Sequence, residues 1–479
     1  MLALFQSWCS SASALMRSTT RCRVGLWRLG TLMGTAGTPS ETWAPSGTFG
    51  RSNRQDRPAI IGQRGGALKS VFSTHEATMG EDAVLRVRAS GVVAMLVTIG
   101  AHLALLGALA PVLPLHVLAL GGTPRLWGLL GGCTGFIMMF SEPMWGWLGD
   151  RLGMRRPYFL ARSALAVSLW LLVLWPGLLV VVIWQVFTGL FESTIGVLGR
   201  GYIVRAYAPS RQTYGLSTYL VVYSGFLALG STVGGWLFQR AGAQAVFVFT
   251  AVLGTIAALA SLFLVEPPPY PAAEAPREET AAPLWSAVNG ATLILGLAAL
   301  LQFVDNRVVR NFLVLLAEQR AGLDASAAGL LFGAFSVANI CFLALLNRFD
   351  RRISLTTRVV LGLAVGAGGM VVYSLARDFP SLLLAVTLDA LGWALASPAR
   401  IVLVGRLSPP SVYGWALGLH GAFENVGVLA GPLMAGALWG IAGPAAPYRV
   451  SAVLMAVGAV VALGLKGKAA AVQHTARVT

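Results

Sequence analysis

The hydrophobic positions fall into long, nearly uninterrupted runs, separated by short stretches that hold Pro, Gly and charged residues. A helix needs about 20 apolar residues to cross the hydrocarbon core of a bilayer, and these runs reach that length. We predict spanning helices near residues 90–118, 125–148, 157–176, 178–204, 213–238, 244–265, 286–316, 325–346, 354–376, 380–404, 413–440 and 445–465. The pattern therefore predicts an all-α membrane protein with 12 transmembrane helices.

The composition agrees with a membrane-embedded chain. Of the 479 residues, 56% are hydrophobic and 11% are charged, whereas soluble domains carry about 25% charged residues. The net charge of +16 comes almost entirely from arginine, and much of it lies in short loops. We therefore predict a lipid bilayer as partner and no nucleic-acid partner.

The cysteines give no sign of a metal or redox site. The four residues are Cys9, Cys22, Cys133 and Cys341, and no two have the spacing of a metal site or a CxxC motif. We predict no disulfide, no metal site and no cofactor.

The chain divides into five parts. Residues 1–78 are rich in Ser, Thr, Gly and Arg; they indicate a targeting extension, a disordered tail, or sequence ahead of a start at Met79. We then predict an N-terminal six-helix bundle over 85–265, a cytoplasmic linker over 266–285, a C-terminal six-helix bundle over 286–467 and a cytoplasmic tail over 468–479. The linker holds Pro267, Pro268 and Pro269 and marks the middle of the chain.

The positive charges of the loops are concentrated on one side, which we call the arginine-rich side. Its basic residues are Arg151, Arg155, Arg156, Arg205, Arg211, Arg348, Arg351, Arg352, Arg406, Lys466 and Lys468. The positive-inside rule assigns this side, and both termini, to the cytoplasm. We expect the plasma membrane, or an organelle membrane if residues 1–78 are a transit peptide.

The two halves resemble each other. Corresponding positions lie about 200 residues apart: Asp150-Arg151 with Asp350-Arg351, Tyr214-Gly215 with Tyr413-Gly414, and Gly230 and Gly235 with Gly431 and Gly436. This repeat predicts two bundles related by a pseudo-two-fold axis along the membrane normal. In that plan a substrate site lies between the halves near mid-membrane.

Several motifs carry a resemblance to a known family. Residues 146–156, GWLGDRLGMRR, resemble the loop 2–3 signature of the major facilitator superfamily, and residues 347–352 resemble its degenerate copy. Residues 230–235 are similar to the fifth-span motif of the drug/proton antiporter group, and residues 431–436 to its eleventh-span echo. The resemblance covers roughly residues 85–467. It implies a carrier of small molecules rather than an enzyme, and we expect a monomer.

The motif residues suggest a latch and a packing role. A carboxylate at a helix C-terminus needs cationic partners, and Asp150 is followed by Arg151, Arg155 and Arg156. The resemblance implies that this loop stabilises the outward-open state; the alternative is charge that only sets topology. The candidate gate residues are Glu142, Gly146, Asp150, Arg151, Gly153, Arg155, Arg156, Asp350 and Arg351. The candidate helix-packing residues are Gly230, Gly234, Gly235, Gly431, Pro432 and Gly436.

Acidic residues inside the spans point to function. Glu192, Asp305, Asp389 and Glu424 fall near mid-span, where a charge costs roughly 2.5–3.5 kcal/mol on the insertion scale. We expect them to face a water-filled cavity. Because burial favours the neutral form of a carboxyl group, we predict that Glu192, Asp305 and Asp389 couple protons to transport. A structural ion pair is the alternative.

Other polar residues in the spans are candidates for the substrate cavity. They are His102, Gln185, Arg307, Arg310 and Glu424. Gln185, Gly189, Glu192, Gly196 and Gly199 share one face of the fourth span, which indicates either a cavity wall or a tight helix seam. Arg307 and Arg310 lie in the seventh span, where they would either hold an anionic substrate or pair with an acid across the cavity.

Three functions remain open at this point. The first hypothesis is proton-coupled efflux of amphipathic drug-like compounds. The second is uptake or exchange of an anionic metabolite held by Arg307 and Arg310. The third is a receptor or scaffold of the same fold that no longer transports. An enzyme is disfavoured, because the chain has no P-loop, no GxSxG motif and no His cluster with metal spacing.

Overall fold

The structure, a computed structural model, describes residues 90–207, 211–267, 288–348, 353–408 and 412–465. The first half contains α1 (Ser90–Ala119), α2 (Pro124–Leu152), α3 (Arg155–Leu174) and α4 (Leu178–Ala206). The helical segment Gln212–Ser261 follows and is broken at Gly242, whose φ is 74° and ψ −178°. Because only glycine adopts this conformation readily, the break makes two helices, α5 (212–241) and α6 (243–261).

The second half repeats this order of helices. It contains α7 (Gly290–Ala321), α8 (Ala325–Arg348), α9 (Leu355–Leu375), α10 (Phe379–Leu407), α11 (Tyr413–Ala442) and α12 (Ala446–Leu463). The all-α membrane fold predicted from hydropathy is confirmed. By length and composition alone, 10 helices of the described residues can cross a membrane. That set counts α5 and α6 together and leaves out α2.

Local sequence sets where several helices begin. Asn289 accepts hydrogen bonds from the N–H groups of Ala291 (2.9 Å) and Thr292 (3.0 Å) at the start of α7, which satisfies donors that the helix itself cannot. Asp378 does the same for α10, accepting from the Ser381 N–H at 2.9 Å. Hydrogen bonds from Ser381 hold the pKa of Asp378, which lies in the loop, below its usual range.

The helix α4 departs from regular geometry at its centre. Its α-helical part ends at Phe191, residues Ile195–Gly199 form a π-helical turn, and α-helix resumes from Arg200 to Ala206. Glu192 lies at this junction. The sequence pattern did not predict the irregularity, and such π turns occur preferentially at functional sites.

The hydrophobic core has two layers. On the outer side, opposite the arginine-rich side, one continuous core joins residues from both halves, including Leu105, Trp184, Phe312 and Trp439. Toward the arginine-rich side the first half and the second half have separate cores. We call these two levels the outer layer and the arginine-rich layer.

Several predictions fall outside the described residues. They concern residues 1–78, the latch residues Asp350 and Arg351, most of the linker 266–285, and the tail after residue 465.

Candidate functional site between the bundles

In the outer layer, α2 and α11 approach each other through glycine. A Cβ atom added at Gly128 would lie 2.8 Å from the Cα atom of Gly436, and one added at Gly135 would lie 2.9 Å from the backbone of Leu429. Pro432 also contacts Gly128 and Gly131. The two backbones can come this close because glycine has no side chain at the contact.

The helices α5 and α8 form the second outer contact. A Cβ atom added at Gly235 would lie 3.2 Å from the Cα atom of Ser326, and one at Gly333 would lie 2.8 Å from the Thr232 hydroxyl. Gly230 and Gly234 instead face α1, against Ala104 and Ala108. The Gly431 backbone lies against Val304 and Arg307 of α7.

The arginine-rich layer is open by comparison. Cβ atoms added at Gly418 and Gly421 of α11 would have no neighbour within 4 Å, and Trp415 is 44% exposed. Among the described residues, the hydrogen bond between the halves nearest this side runs from Asn425 Nδ2 to Glu142 Oε2, at 2.9 Å. The halves therefore pack closely on the outer side, and we infer a cleft between them that opens toward the arginine-rich side.

Charged residues from both halves lie at the closed end of this cleft. Arg307 of α7 lies within electrostatic range of its neighbour Arg310, of Glu192 of α4 and of Glu142 of α2. Glu192 and Arg310 are half-buried. The buried Nε of Arg307 has no hydrogen-bond partner. Arg307 of one half thus lies near two carboxylates of the other half, with Arg310 beside it.

A second polar group belongs to the C-terminal half. Arg400 is fully buried and donates to Gln302, and its guanidinium lies 3.8 Å from Glu424. His420 Nε2 lies 3.5 Å from the same Glu424 oxygen. The Glu424 side chain is 25% exposed, so it connects this buried group to the cleft.

The N-terminal half buries its own arginine. Arg162 of α3 is 1% exposed and donates to the Phe191 carbonyl at 2.6 Å and to the Thr194 hydroxyl. Its guanidinium lies 5.2 Å from the Tyr158 ring, and Glu192 is within electrostatic range. Arg162 therefore supports α4 where the α-helix changes to the π turn.

Two predicted cavity acids are not in the cleft. Asp305 is 1% exposed and Asp389 is 2% exposed, so the expectation that they face a water-filled cavity is wrong for this conformation. The helix α10 turns Asp389 toward α9, since a Cβ atom added at Gly369 would lie 3.2 Å from the Asp389 nitrogen. The titratable side chains near these two acids all belong to the C-terminal half.

Two other predicted cavity residues are also buried within one half. Gln185 accepts from the Thr134 hydroxyl at 3.3 Å, and a Cβ atom added at Gly189 would lie 2.8 Å from Ile137. This part of the small-residue face is thus a seam between α4 and α2 rather than a cavity wall. His102 is 1% exposed, and its Nε2 has no hydrogen-bond partner.

The loop between α2 and α3 has different partners from those predicted. Asp150 pairs with Arg205 of α4 at 3.1 Å, not with the adjacent arginines. Arg151 instead lies over the Trp147 ring at 4.4 Å. The carboxylate of Glu266 accepts from the backbone N–H groups of Met154 (2.6 Å) and Arg155 (3.1 Å).

Glycine is required at one position of this loop. Gly153 has a φ of 79°, and a Cβ atom there would lie 2.9 Å from the Glu266 carboxylate. Gly146 has only Val197 near it, at 3.7 Å. The Arg155 side chain donates to the Leu262 carbonyl at 2.8 Å, so the loop is fastened to the end of α6.

Sequence reasoning missed Arg162 and Arg400. Both lie inside predicted spans, and an arginine at bilayer depth is as strong a signal as a carboxylate. It also missed Gln302, His420 and Asn425, because their candidate roles depend on the charged side chains that they contact in the folded protein.

Two helical halves, closed at one end and separated by a charged cleft at the other, define a multi-pass membrane transporter. The chain matches the family model described as Major Facilitator Superfamily over residues 94–304 and 295–477. It therefore belongs to the major facilitator superfamily, whose members are transporters and not enzymes. The family resemblance of the sequence motifs is confirmed.

More specific relatives match only part of the chain. A segment of 167 residues is 33% identical to the multidrug resistance protein MdtG of Klebsiella pneumoniae (strain 342), and covers 32% of this chain and 39% of that protein. The chain thus spans less than half the length of this curated relative.

Among solved structures, the fold is similar to the peptide transporter POT in complex with sulfate, with a TM-score of 0.67 at 14% identity, covering 79% of this chain and 94% of that one. It is also similar to the human organic anion transporter MFSD10 (TETRAN), with a TM-score of 0.57 at 17% identity, covering 78% and 99%. Identities this low show a shared fold alone.

Proposed function

We propose that this transporter exports amphipathic drug-like compounds in exchange for protons, as a monomer in the plasma membrane. The partial similarity to a multidrug resistance protein supports the substrate class. The position of Glu192 between charges of both halves is the observation that carries the coupling mechanism. Asp305 and Asp389 are further proton-coupling candidates.

Glu192 can link protonation to the movement of the halves. When ionised, it attracts Arg162 of its own half and Arg307 of the other half, across the closed end of the cleft. Protonation removes both attractions, so the two halves can separate on the outer side. The coupling follows from the difference in charge between the two conformations.

The test is transport by the Glu192→Gln variant in proteoliposomes, with a fluorescent cationic dye as substrate. Glutamine keeps the size of the side chain but is permanently neutral. We expect accumulation driven by a pH gradient to fall at least about tenfold, which corresponds to about 1.4 kcal/mol of coupling free energy. Dye exchange without a gradient should persist.

The matched control is Glu318→Gln, which neutralises an exposed glutamate of α7 outside the cleft. It should accumulate dye like the unaltered protein. Unchanged gradient-driven accumulation by Glu192→Gln would contradict the proposed role of Glu192. No flux of any solute, with no ligand-induced thermal shift, would favour a receptor or scaffold.

The second candidate function is uptake or exchange of an anionic metabolite. Arg307 and Arg310 lie side by side at the closed end of the cleft, and neither forms an ion pair with a described residue. Two guanidinium groups in this arrangement suit a carboxylate or phosphate group.

The double variant Arg307→Ala/Arg310→Ala separates the two functions. Under the anion hypothesis it loses transport of organic anions but keeps dye export. Arg377→Ala, in an exposed position of the loop before α10, is the matched control. Loss of dye export alone would argue against the anion hypothesis.

A further inference from the structure

Four buried residues of the C-terminal half form a group that the proposed transport cleft does not contain. They are Asp305 of α7, Tyr373 of α9, Asp389 of α10 and Tyr448 of α12, and we call them the Asp–Tyr cluster. Each of the four side chains is at most 2% exposed. The rings of Tyr373 and Tyr448 lie 5.4 Å apart, centroid to centroid.

Five of the six side-chain oxygens of the cluster lack hydrogen-bond partners. Both carboxylate oxygens of Asp305, Oδ2 of Asp389 and the hydroxyls of Tyr373 and Tyr448 are buried without a hydrogen bond. Such atoms are rare in folded proteins, because each buried donor or acceptor left unpaired is costly. Five in one place indicate that a bound species is expected there.

The four side chains are close enough to act on one another. The charges of Asp389 and Asp305 both act on the Tyr373 hydroxyl, and Asp305 acts on the Tyr448 hydroxyl. The strongest charge that acts on Asp305 is that of Asp389. Two ionised carboxylates here therefore repel each other unless one of them takes up a proton or a positive charge lies between them.

No side chain of the described residues supplies that positive charge. Neither aspartate forms an ion pair there. Arg400 shares α10 with Asp389 but is engaged by Gln302 and Glu424, and Arg320 donates to the Ser374 carbonyl. From α8, Asn339 donates to the Ala390 carbonyl, and apolar side chains such as Met370 fill the remaining surroundings.

The donor set defines the class of ligand. All five unpartnered atoms are oxygens, which suit a hard cation rather than a transition metal. Calcium takes 6–8 oxygen ligands, more than the five unpartnered atoms here provide. We propose that the Asp–Tyr cluster binds one sodium ion, in competition with protons and apart from the substrate cleft. This goes beyond the proposed function, because it holds whatever solute is carried.

The test is thermal unfolding of the purified full-length chain in detergent. Melting temperatures are compared in sodium, potassium and choline chloride at equal ionic strength, at pH 8 and pH 6. We expect sodium to raise the melting temperature by a few degrees at pH 8, saturably, because a ligand that binds only the folded state stabilises it. The shift should shrink at pH 6, where protons compete.

Variants locate the effect. Asp305→Asn and Tyr448→Phe, each nearly isosteric, should lose most of the sodium-dependent shift. The control Asp378→Asn removes an exposed carboxylate from the loop before the same helix α10 and should keep the shift. If Asp305→Asn fails to fold, Tyr448→Phe alone tests the proposal, because it removes the hydroxyl and keeps the packing of the ring.

Two results would overturn the proposal. One is equal melting in sodium and choline chloride at pH 8, with a pH-dependent melt that Asp305→Asn alters; the cluster would then bind a proton alone. The other is a sodium-dependent shift that both Asp305→Asn and Tyr448→Phe retain, which would assign sodium to a different site.

Discussion

The outer layer and the arginine-rich layer of the molecule differ in how the two halves meet. In the outer layer one continuous apolar core includes residues of both halves, and backbones touch through glycine. In the arginine-rich layer each half has its own core, and glycines of α11 face open space. The two halves thus share one core in the outer layer and have separate cores in the arginine-rich layer.

This difference explains which residues can control transport. An alternating-access carrier must open the contact that is now closed and close the one that is now open. Small residues in the outer layer determine how closely the two halves can pack there. Charged residues between the outer layer and the arginine-rich layer determine how this packing responds to protons or substrate. Substitutions in the two layers should therefore have different consequences.

The largest effect is expected for Gly128→Val in the outer layer. The new side chain would collide with the backbone of Pro432 and Gly436, and overpacking of this kind costs about 1–3 kcal/mol. The closed outer contact should become about 5- to 150-fold less populated. Distances between spin labels on the outer ends of α2 and α11 measure this shift directly.

The matched control for this variant is Gly440→Val. Gly440 is exposed on α11, and a Cβ atom there has no neighbour within 4 Å. Its spin-label distances should equal those of the unaltered protein. If both variants shift the spin-label distances equally, the close contact at Gly128 is not the cause. Valine would then disturb α11 or its surroundings at either position.

An intermediate effect is expected for Glu142→Ala at the boundary of the layers. It removes the acceptor of the 2.9 Å hydrogen bond from Asn425, which is worth about 1 kcal/mol at a partly buried site. The same spin-label pair should show a smaller shift than with Gly128→Val. Glu142→Gln keeps an acceptor oxygen and should restore most of the contact; failure to do so would assign the effect to the charge.

The smallest effect is expected for Gly421→Ala in the arginine-rich layer. Its Cβ atom would meet nothing within 4 Å, so only helix propensity changes, by at most about 1 kcal/mol in favour of the helix. The melting temperature in detergent should stay equal or rise slightly. A clear fall would mean that the halves also touch at this level in solution.

Much of the fold follows from the sequence. Runs of apolar residues marked the helices to within a few residues, as for α10, predicted over 380–404 and found at Phe379–Leu407. Gly242, which ends α5, falls in the gap predicted between the fifth and sixth spans. The π turn Ile195–Gly199 in α4 was not predicted, because no residue type specifies it locally.

The candidate site was harder to predict than the fold. Glu192 and Arg307 were selected because charge is costly in a membrane, and that argument needs no knowledge of neighbours. The same argument predicts that Asp305 and Asp389 face a water-filled cavity, whereas both are buried in this conformation. Helical periodicity fixes the face of a residue on its own helix, but not which helix covers that face.

The sequence by itself determined the class of the molecule: an all-α membrane protein that carries several charges at bilayer depth. Its internal repeat and its loop arginines also predict two related halves and an orientation in the membrane. Hydropathy and loop charge are local properties, so they can be read along the chain. Only the tertiary structure decided that Arg162 supports α4, that Asp150 pairs with Arg205, and that two aspartates share a buried cluster with two tyrosines. Those contacts join helices distant in the chain, and their geometry depends on how all the helices pack together.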